Sequence, residues 1–498
     1  MQRLGIGESG GASSDRSNQL GTLLASSVRG AETTSELARF IEVWKAERGA
    51  ADKGEVLGPD GRRYQVSFGG GAHGGYPLSY FDEISSAADY RVKKIDHLRR
   101  DGVGVPLVAL RENRGESPIE KFYPPEAITR PLTAVMAKKT NRGGTTAVDI
   151  ELLCPLQNDT TILARERQQL AADFTVPWAA LLSRAAELNR AQYFDILTAT
   201  PSREPRLYLM EPYDPNKEPV IMVHGLLDTS LVFAKLSNEL WADDAIRRRY
   251  QIWHYLYNTS APALYSGRLL QSQLRELRGL LDPTGQDRAM QSTTFLAHSM
   301  GGIVTRRLIT EPESAFWDAA FKKPIDELVL SDADRTTLKQ AFSWEPERHV
   351  HRVIYLAVPH RGSDYADNWI GKLGRWLVKP PNAFAAFYNR VSSANLGVFT
   401  DEYAQLGSGR LDSVHALSPK QPTLKILENL PNSHPVRVHS IIGNPKPEVP
   451  LVESSDSVVP YSSSHLEHAD SEKVVPSTHG LIDHPHTVTE VKRILRLP

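Results

Sequence analysis

The amino-acid sequence predicts an α/β protein in two parts: a strand-rich, mixed N-terminal half, and a second half built on a mostly parallel, doubly wound sheet with helices on both faces. Three observations carry this expectation. The chain has 498 residues, 40% of them hydrophobic, which exceeds one typical domain and suffices to bury two cores. From about Tyr208 onward, short apolar runs alternate with longer helical patterns, as strand–helix–strand units require. One of those runs, Thr294-Phe295-Leu296-Ala297-His298, leads straight into Ser299-Met300-Gly301-Gly302, where a helix should begin.

The elements follow in chain order. Residues 1–53 read as a mobile N-terminal arm: the first part is rich in Gly, Ser and Ala without periodicity, and only Ser35 to Trp44 has the spacing of a short amphipathic helix. Residues 54–207 read as a mixed accessory domain, with strands at Tyr64 to Phe68, Val105 to Leu110, Leu132 to Met136 and Val148 to Leu153, and helices at Asp82 to Leu98 and Trp178 to Tyr193. The glycine-rich run Gly69 to Gly75 lacks both the Lys-Ser/Thr of a phosphate loop and the G-x-G-x-x-G frame, so it is expected to be a surface loop. Residues 208–498 form the expected catalytic domain. Its strands are Pro219 to Val223, Tyr250 to Tyr257, Thr294 to His298, Val353 to Val358, Val436 to Ile442 and Lys473 to Val475, and its helices include Leu231 to Trp241, Leu269 to Leu281 and Val488 to Leu497. A long insertion at about 364–430 carries two apolar stripes at helical spacing, one with Trp369 and Trp376, the other with Phe384 and Phe387. They suit a cap over a pocket, or equally the packing of the insertion onto the core.

The strand-to-helix junction is the chemical signal. A-x-S-x-G at such a junction has the layout of a nucleophile elbow, in which a sharp turn exposes the serine oxygen and leaves room only for small neighbours. Ser299 is thus the candidate nucleophile, with Ala297 in place of the usual first glycine. A serine hydroxyl needs a base, a carboxylate that orients the base, and donors for a developing oxyanion. With such an elbow the acid and the histidine follow the serine in chain order. Asp456, in the polar turn Glu453 to Pro460, is the candidate acid, with Asp470 and Asp483 as weaker competitors. His479 is the candidate base, in the loop between the last strand and the closing helix, ahead of His484 and His486. Leu226 and Met300 are the candidate oxyanion donors through their amides, while His224 and His298 are expected to brace loops.

Composition narrows the alternatives. Lys plus Arg number 58 against 59 Asp plus Glu, a formal charge of -1, so no global field attracts nucleic acid. The single cysteine, Cys154, excludes intramolecular disulfides and cysteine metal clusters. No metal motif of the H-E-x-x-H kind occurs, and neither metal nor organic cofactor is expected. The N-terminus as written lacks a signal-peptide core, and no window has the apolar length of a membrane span. A cytoplasmic location is expected, or a bacterial envelope one if the native start lies upstream; any membrane contact would be peripheral. Oligomeric state is left open.

Five ordered motifs together resemble a known family: Val223-His224-Gly225-Leu226, Ala297 to Gly302, Pro359-His360-Arg361-Gly362-Ser363, Asp456-Ser457-Val458-Val459-Pro460 and Ser477-Thr478-His479. From about Glu211 to the C-terminus the chain resembles the α/β-hydrolases, and more narrowly the lipase- and esterase-like serine hydrolases of the proteobacterial lipoprotein type. Many relatives of that type open with a lipoprotein signal ending in a cysteine, which this chain as written lacks. The resemblance implies an α/β-hydrolase fold and hydrolysis of small-molecule or lipid-like carboxylic esters through a Ser299-His479-Asp456 triad and an acyl-enzyme. Acyltransferase, thioesterase or amidase chemistry would use the same triad, and a binding protein on a hydrolase fold is a further alternative.

Overall fold

A computed structural model describes residues 19–25, 34–59, 61–69, 75–92, 95–142, 145–163, 165–197, 205–226, 228–259, 261–363, 382–404, 417, 419 and 421–498. The chain divides into two compact units, one of residues 1–114 and 125–185, the other of residues 115–124 and 186–498. The division therefore falls inside the helix Val176–Leu197, and the short stretch 115–124 joins the second unit, where the sequence reading had placed a single boundary at 207.

The first unit is built on a six-stranded mixed sheet. Its central strands, Ile128–Arg142 and Thr145–Leu153, are antiparallel neighbours, and Arg63–Phe68 runs parallel to Thr145–Leu153. The helix Thr34–Arg48 is no part of a mobile arm. Phe40, Ile41 and Trp44 are fully buried, and the Phe40 and Trp44 rings lie 6.4 and 5.3 Å from that of Phe68. The physical reason is that this stripe has a sheet face to cover, and burying two large aromatic rings outweighs the entropy of a free arm. The expected helix at Asp82 to Leu98 is also corrected. Glu83–Ser86 forms an edge strand antiparallel to Leu107 through Leu110, followed by the 3-10 turn Ala87–Asp89, whose start is capped by Ser86. Sheet pairing and burial of Ile84 override the local helical spacing. Most of the glycine run lies outside the described residues.

The second unit has the α/β-hydrolase fold. Its seven strands are β1 (Arg206–Leu209), β2 (Glu218–Val223), β3 (Tyr250–Leu256), β4 (Thr293–His298), β5 (Val350–Leu356), β6 (Arg437–Gly443) and β7 (Ser471–Val475), in the spatial order β1-β3-β2-β4-β5-β6-β7. Only β1 is antiparallel to its neighbour; all other pairings are parallel. β2 and β4 are buried along their whole length, as strands covered on both faces must be, which is why apolar runs, Pro219 to Val223 and Phe295 to Ala297, mark them in the sequence. The helices Ala234–Ala242, Ala263–Leu281, Met300–Ile309 and Pro485–Leu495 connect or close the sheet. Since β2 and β4 are adjacent with Val223 opposite Ala297, the loop after β2 and the junction after β4 emerge side by side at the carboxyl edge. Open α/β sheets place their chemistry along this edge.

Candidate active site

Ser299 is the residue between β4 and the helix Met300–Ile309, and its backbone has φ 52° and ψ -127°, a conformation that L-residues adopt only when their surroundings impose it. Small residues make the turn possible. A Cβ on Gly301 would stand 2.3 Å from the carbonyl oxygen of Val223, so the helix start packs directly on the end of β2. Ala297, in the position of the usual first glycine, is fully buried in β4.

The structure brings the three predicted residues together. Ser299 Oγ donates to His479 Nε2 at 2.8 Å, and His479 Nδ1 donates to Asp456 Oδ2 at 2.7 Å. Asp456 is 1% exposed, and its other oxygen accepts the amides of Val458 at 2.8 Å and Val459 at 2.6 Å, which locks the carboxylate in the turn after β6. The His479 amide in turn donates to the Asp456 carbonyl at 2.8 Å, tying the two loops together. Gly443, at the end of β6, is a residue the sequence did not single out. A Cβ there would lie 2.6 Å from the Ser477 carbonyl oxygen and 2.9 Å from Asp456 Cβ, so its bare backbone lets the acid loop and the histidine loop meet.

The competitors have other tasks. Asp470 accepts the Val438 amide at 2.7 Å and trims the sheet. Asp483 pairs with Lys235 at 3.4 Å. His484 caps the helix Pro485–Leu495, accepting the His486 amide. His224 is fully buried and braces the loop after β2: Nδ1 donates to the Gly225 carbonyl at 2.9 Å, Nε2 accepts the Tyr257 amide at 3.3 Å, and the ring stacks on Tyr257 with centroids 4.4 Å apart. Burial pushes its pKa down to about 4. His298 is buried as well; Nε2 donates to the His479 carbonyl at 2.9 Å, and burial, reinforced by His479, lowers its pKa to about 3. Both rings are therefore neutral near pH 7 and serve as struts.

Leu226 and Met300 sit where their amides could face a substrate oxygen. Leu226 follows Gly225, whose added Cβ would stand 3.0 Å from Ser299 Cβ, and Met300 is the first residue of the elbow helix. Among the described residues neither amide is engaged in a hydrogen bond.

The pocket residues fare differently. Trp369 and Trp376 lie outside the described residues, and Phe384 is described in its backbone alone. Phe387 packs against a cluster of Ala320, Phe321, Leu328, Leu338, Val391 and Val398. Phe387, on the helix Asn382–Ala394, is thus held by packing partners within the fold. Four residues of that cluster, Ala320, Phe321, Leu328 and Leu338, come from the segment between the elbow helix and β5, which includes the helices Ala315–Ala320 and Asp332–Phe342 and which the sequence reading does not join to the 364–430 insertion. Another residue it passed over is Asp228, on the loop after β2. Its Oδ2 lies 3.9 Å from His298 Nδ1, and its side chain retains 37% exposure. Burial holds its carboxyl above the usual range, against the opposing pull of His479. Its spacing behind His224-Gly225-Leu226 was the only signal available.

No protein-family model matches the chain, and no curated protein matches it. Among solved structures the chain is similar to the mature form of the lipase BlEst2 of Bacillus licheniformis, at 17% identity over 58% of this chain and 98% of that one, with a TM-score of 0.34. It is similar to a structure from a study of carboxylesterases of the thaumarchaeon Nitrososphaera gargenis, at 14% identity over 59% of this chain and 94% of that one, TM-score 0.29. A hydrolase from Pseudomonas aeruginosa matches at 12% identity over 59% and 94% of the two chains, TM-score 0.31.

Proposed function

We propose that this protein is a serine hydrolase of carboxylic esters, with Ser299 as nucleophile, His479 as general base and acid, and Asp456 as the residue that orients and charge-balances the imidazole. The continuous Asp456–His479–Ser299 hydrogen-bond chain, 2.7 and 2.8 Å in its two links, carries this reading. The five ordered motifs shared with lipase-like hydrolases of the proteobacterial lipoprotein type point to the same class of substrate.

In the first half-reaction Ser299 Oγ attacks the ester carbonyl carbon while its proton passes to His479 Nε2. The carbonyl oxygen takes up negative charge, which the Leu226 and Met300 amides stabilise. The carbon–oxygen bond to the alcohol then breaks, and the alcohol leaves with the proton from His479. Water repeats the sequence on the acyl-enzyme, again losing its proton to His479, and releases the acid as Ser299 recovers its hydrogen. Asp456 keeps Nδ1 protonated throughout, so that Nε2 is the atom that cycles.

Hydrolysis of p-nitrophenyl butyrate and p-nitrophenyl palmitate tests the proposal. Ser299→Ala and His479→Ala should each lower kcat by about three orders of magnitude or more. His484→Ala, which removes a helix cap, should keep the activity. A wild-type rate equal to that of Ser299→Ala on both esters refutes it, and the butyrate-to-palmitate ratio places the enzyme between esterase and lipase.

A further inference from the structure

A carboxylate close to His298 and His479 adds a charge to the site. Asp456 is turned onto the His479 imidazole and two backbone amides. A second carboxylate near enough to interact with His479, Asp228, has no lysine or arginine partner among the described residues. It stands on the same loop as the Leu226 amide and keeps about a third of its side chain open to solvent. Behind it, His298 closes the wall: its Nδ1 is buried without a hydrogen-bond partner, and its ring lies 4.9 Å from that of His479. Because Nε2–H of His298 is spent on the His479 carbonyl, Nδ1 carries no proton and offers Asp228 no counter-charge. The nearest wall group is thus neutral, and the carboxylate, close enough to His479 for the two to interact, acts on the site without a counter-charge.

Resting on the hydrolase reading above, we propose that Asp228 sets the charge preference of the enzyme, favouring esters that carry a cationic group close to the scissile carbonyl and disfavouring those that carry an anionic one. The acid product becomes anionic on release, so the same field assists its departure from the serine. Two unit charges about 10 Å apart near a protein surface change a rate or affinity by about tenfold, and specificity needs no more than such a difference between competing substrates.

The experiment compares kcat/KM within matched pairs. Butyrylthiocholine is set against its uncharged isostere 3,3-dimethylbutyl thiobutyrate, and mono-p-nitrophenyl succinate against p-nitrophenyl butyrate, for the wild type, Asp228→Asn and Asp228→Glu. The ratio within each pair is the readout, since absolute rates also follow loop packing. The wild type and Asp228→Glu are expected to favour the cationic ester and disfavour the anionic one, and Asp228→Asn to shift at least one of the two ratios by about five- to tenfold toward unity. Raising salt to about 1 M, where screening is nearly complete at these distances, should move the wild-type ratios the same way without any substitution. Ratios that are the same in Asp228→Asn as in the wild type overturn the proposal, as do salt-independent wild-type ratios should Asp228→Asn fail to fold. A wild type inactive on the neutral esters overturns the serine-hydrolase reading, and this inference with it; a wild type active on them with unchanged ratios overturns this inference alone.

Discussion

Gly301 shows how much of the site depends on a missing methyl group. Its Cα approaches the end of β2 so closely that any side chain would meet the Val223 carbonyl, a main-chain group that has no rotamer to yield. Gly301→Ala is expected to lower stability by about 2–4 kcal/mol, read as a shift in the urea midpoint, and to reduce the proposed ester hydrolysis by displacing the elbow. The same reasoning explains what was legible at residue scale. Ser299, Asp456 and His479 stood out because chemistry needs those residue types in that order, and the structure places them within hydrogen-bond reach. Gly443 and Asp228 did not stand out. The role of each depends on which distant loop comes to lie beside it, and a glycine at a strand end or an aspartate in a loop has ordinary local explanations.

Elements were legible in proportion to their burial. β2, β4 and β5 lie inside the sheet and so announce themselves as apolar runs. The edge strand Glu83–Ser86 has alternating exposure and only four residues, and its apolar spacing over a longer window mimics a helix. Likewise a helical stripe shows that a face is covered and leaves its partner unstated, as Phe387 and the cluster around Phe321 demonstrate. The helix Thr34–Arg48 supplies an element-scale prediction. Trp44 is fully buried and its indole Nε1 donates to the Ala51 carbonyl at 2.8 Å, so Trp44→Ala should cost about 3–5 kcal/mol by chemical denaturation. A floppy arm would show almost no loss.

The whole molecule comprises two units, each with its own sheet and core. Calorimetry should therefore resolve two unfolding transitions, with Trp44→Ala lowering the temperature of one and leaving the other in place. The second unit also has a built-in acid sensitivity. His224, held at about 4, and His254 and His298, each at about 3, are buried, and His349, also at about 3, is partly buried; all four owe their lowered pKa values first to desolvation. Unfolded, each would titrate near 6.5. Between pH 6.5 and 4 the unfolded chain binds protons that the folded one refuses, so stability is fully present above 6.5 and is lost as pH falls through that window. The urea midpoint should drop steeply there, and His254→Gln should flatten the slope by up to one proton.

The hydrogen-bond chain at the serine joins residues 23 and 180 positions apart in sequence, the first pair carried by the neighbouring strands β6 and β7 and the second by β4 and β7, three places apart in the sheet. Parallel sheets close such long loops late, because each added strand must first meet the entropy of its crossover. Competence to turn over substrate should accordingly be the last property regained after dilution from denaturant. Far-ultraviolet circular dichroism is expected to recover first, and the proposed ester cleavage only when β6 and β7 have docked and brought Asp456 and His479 to Ser299.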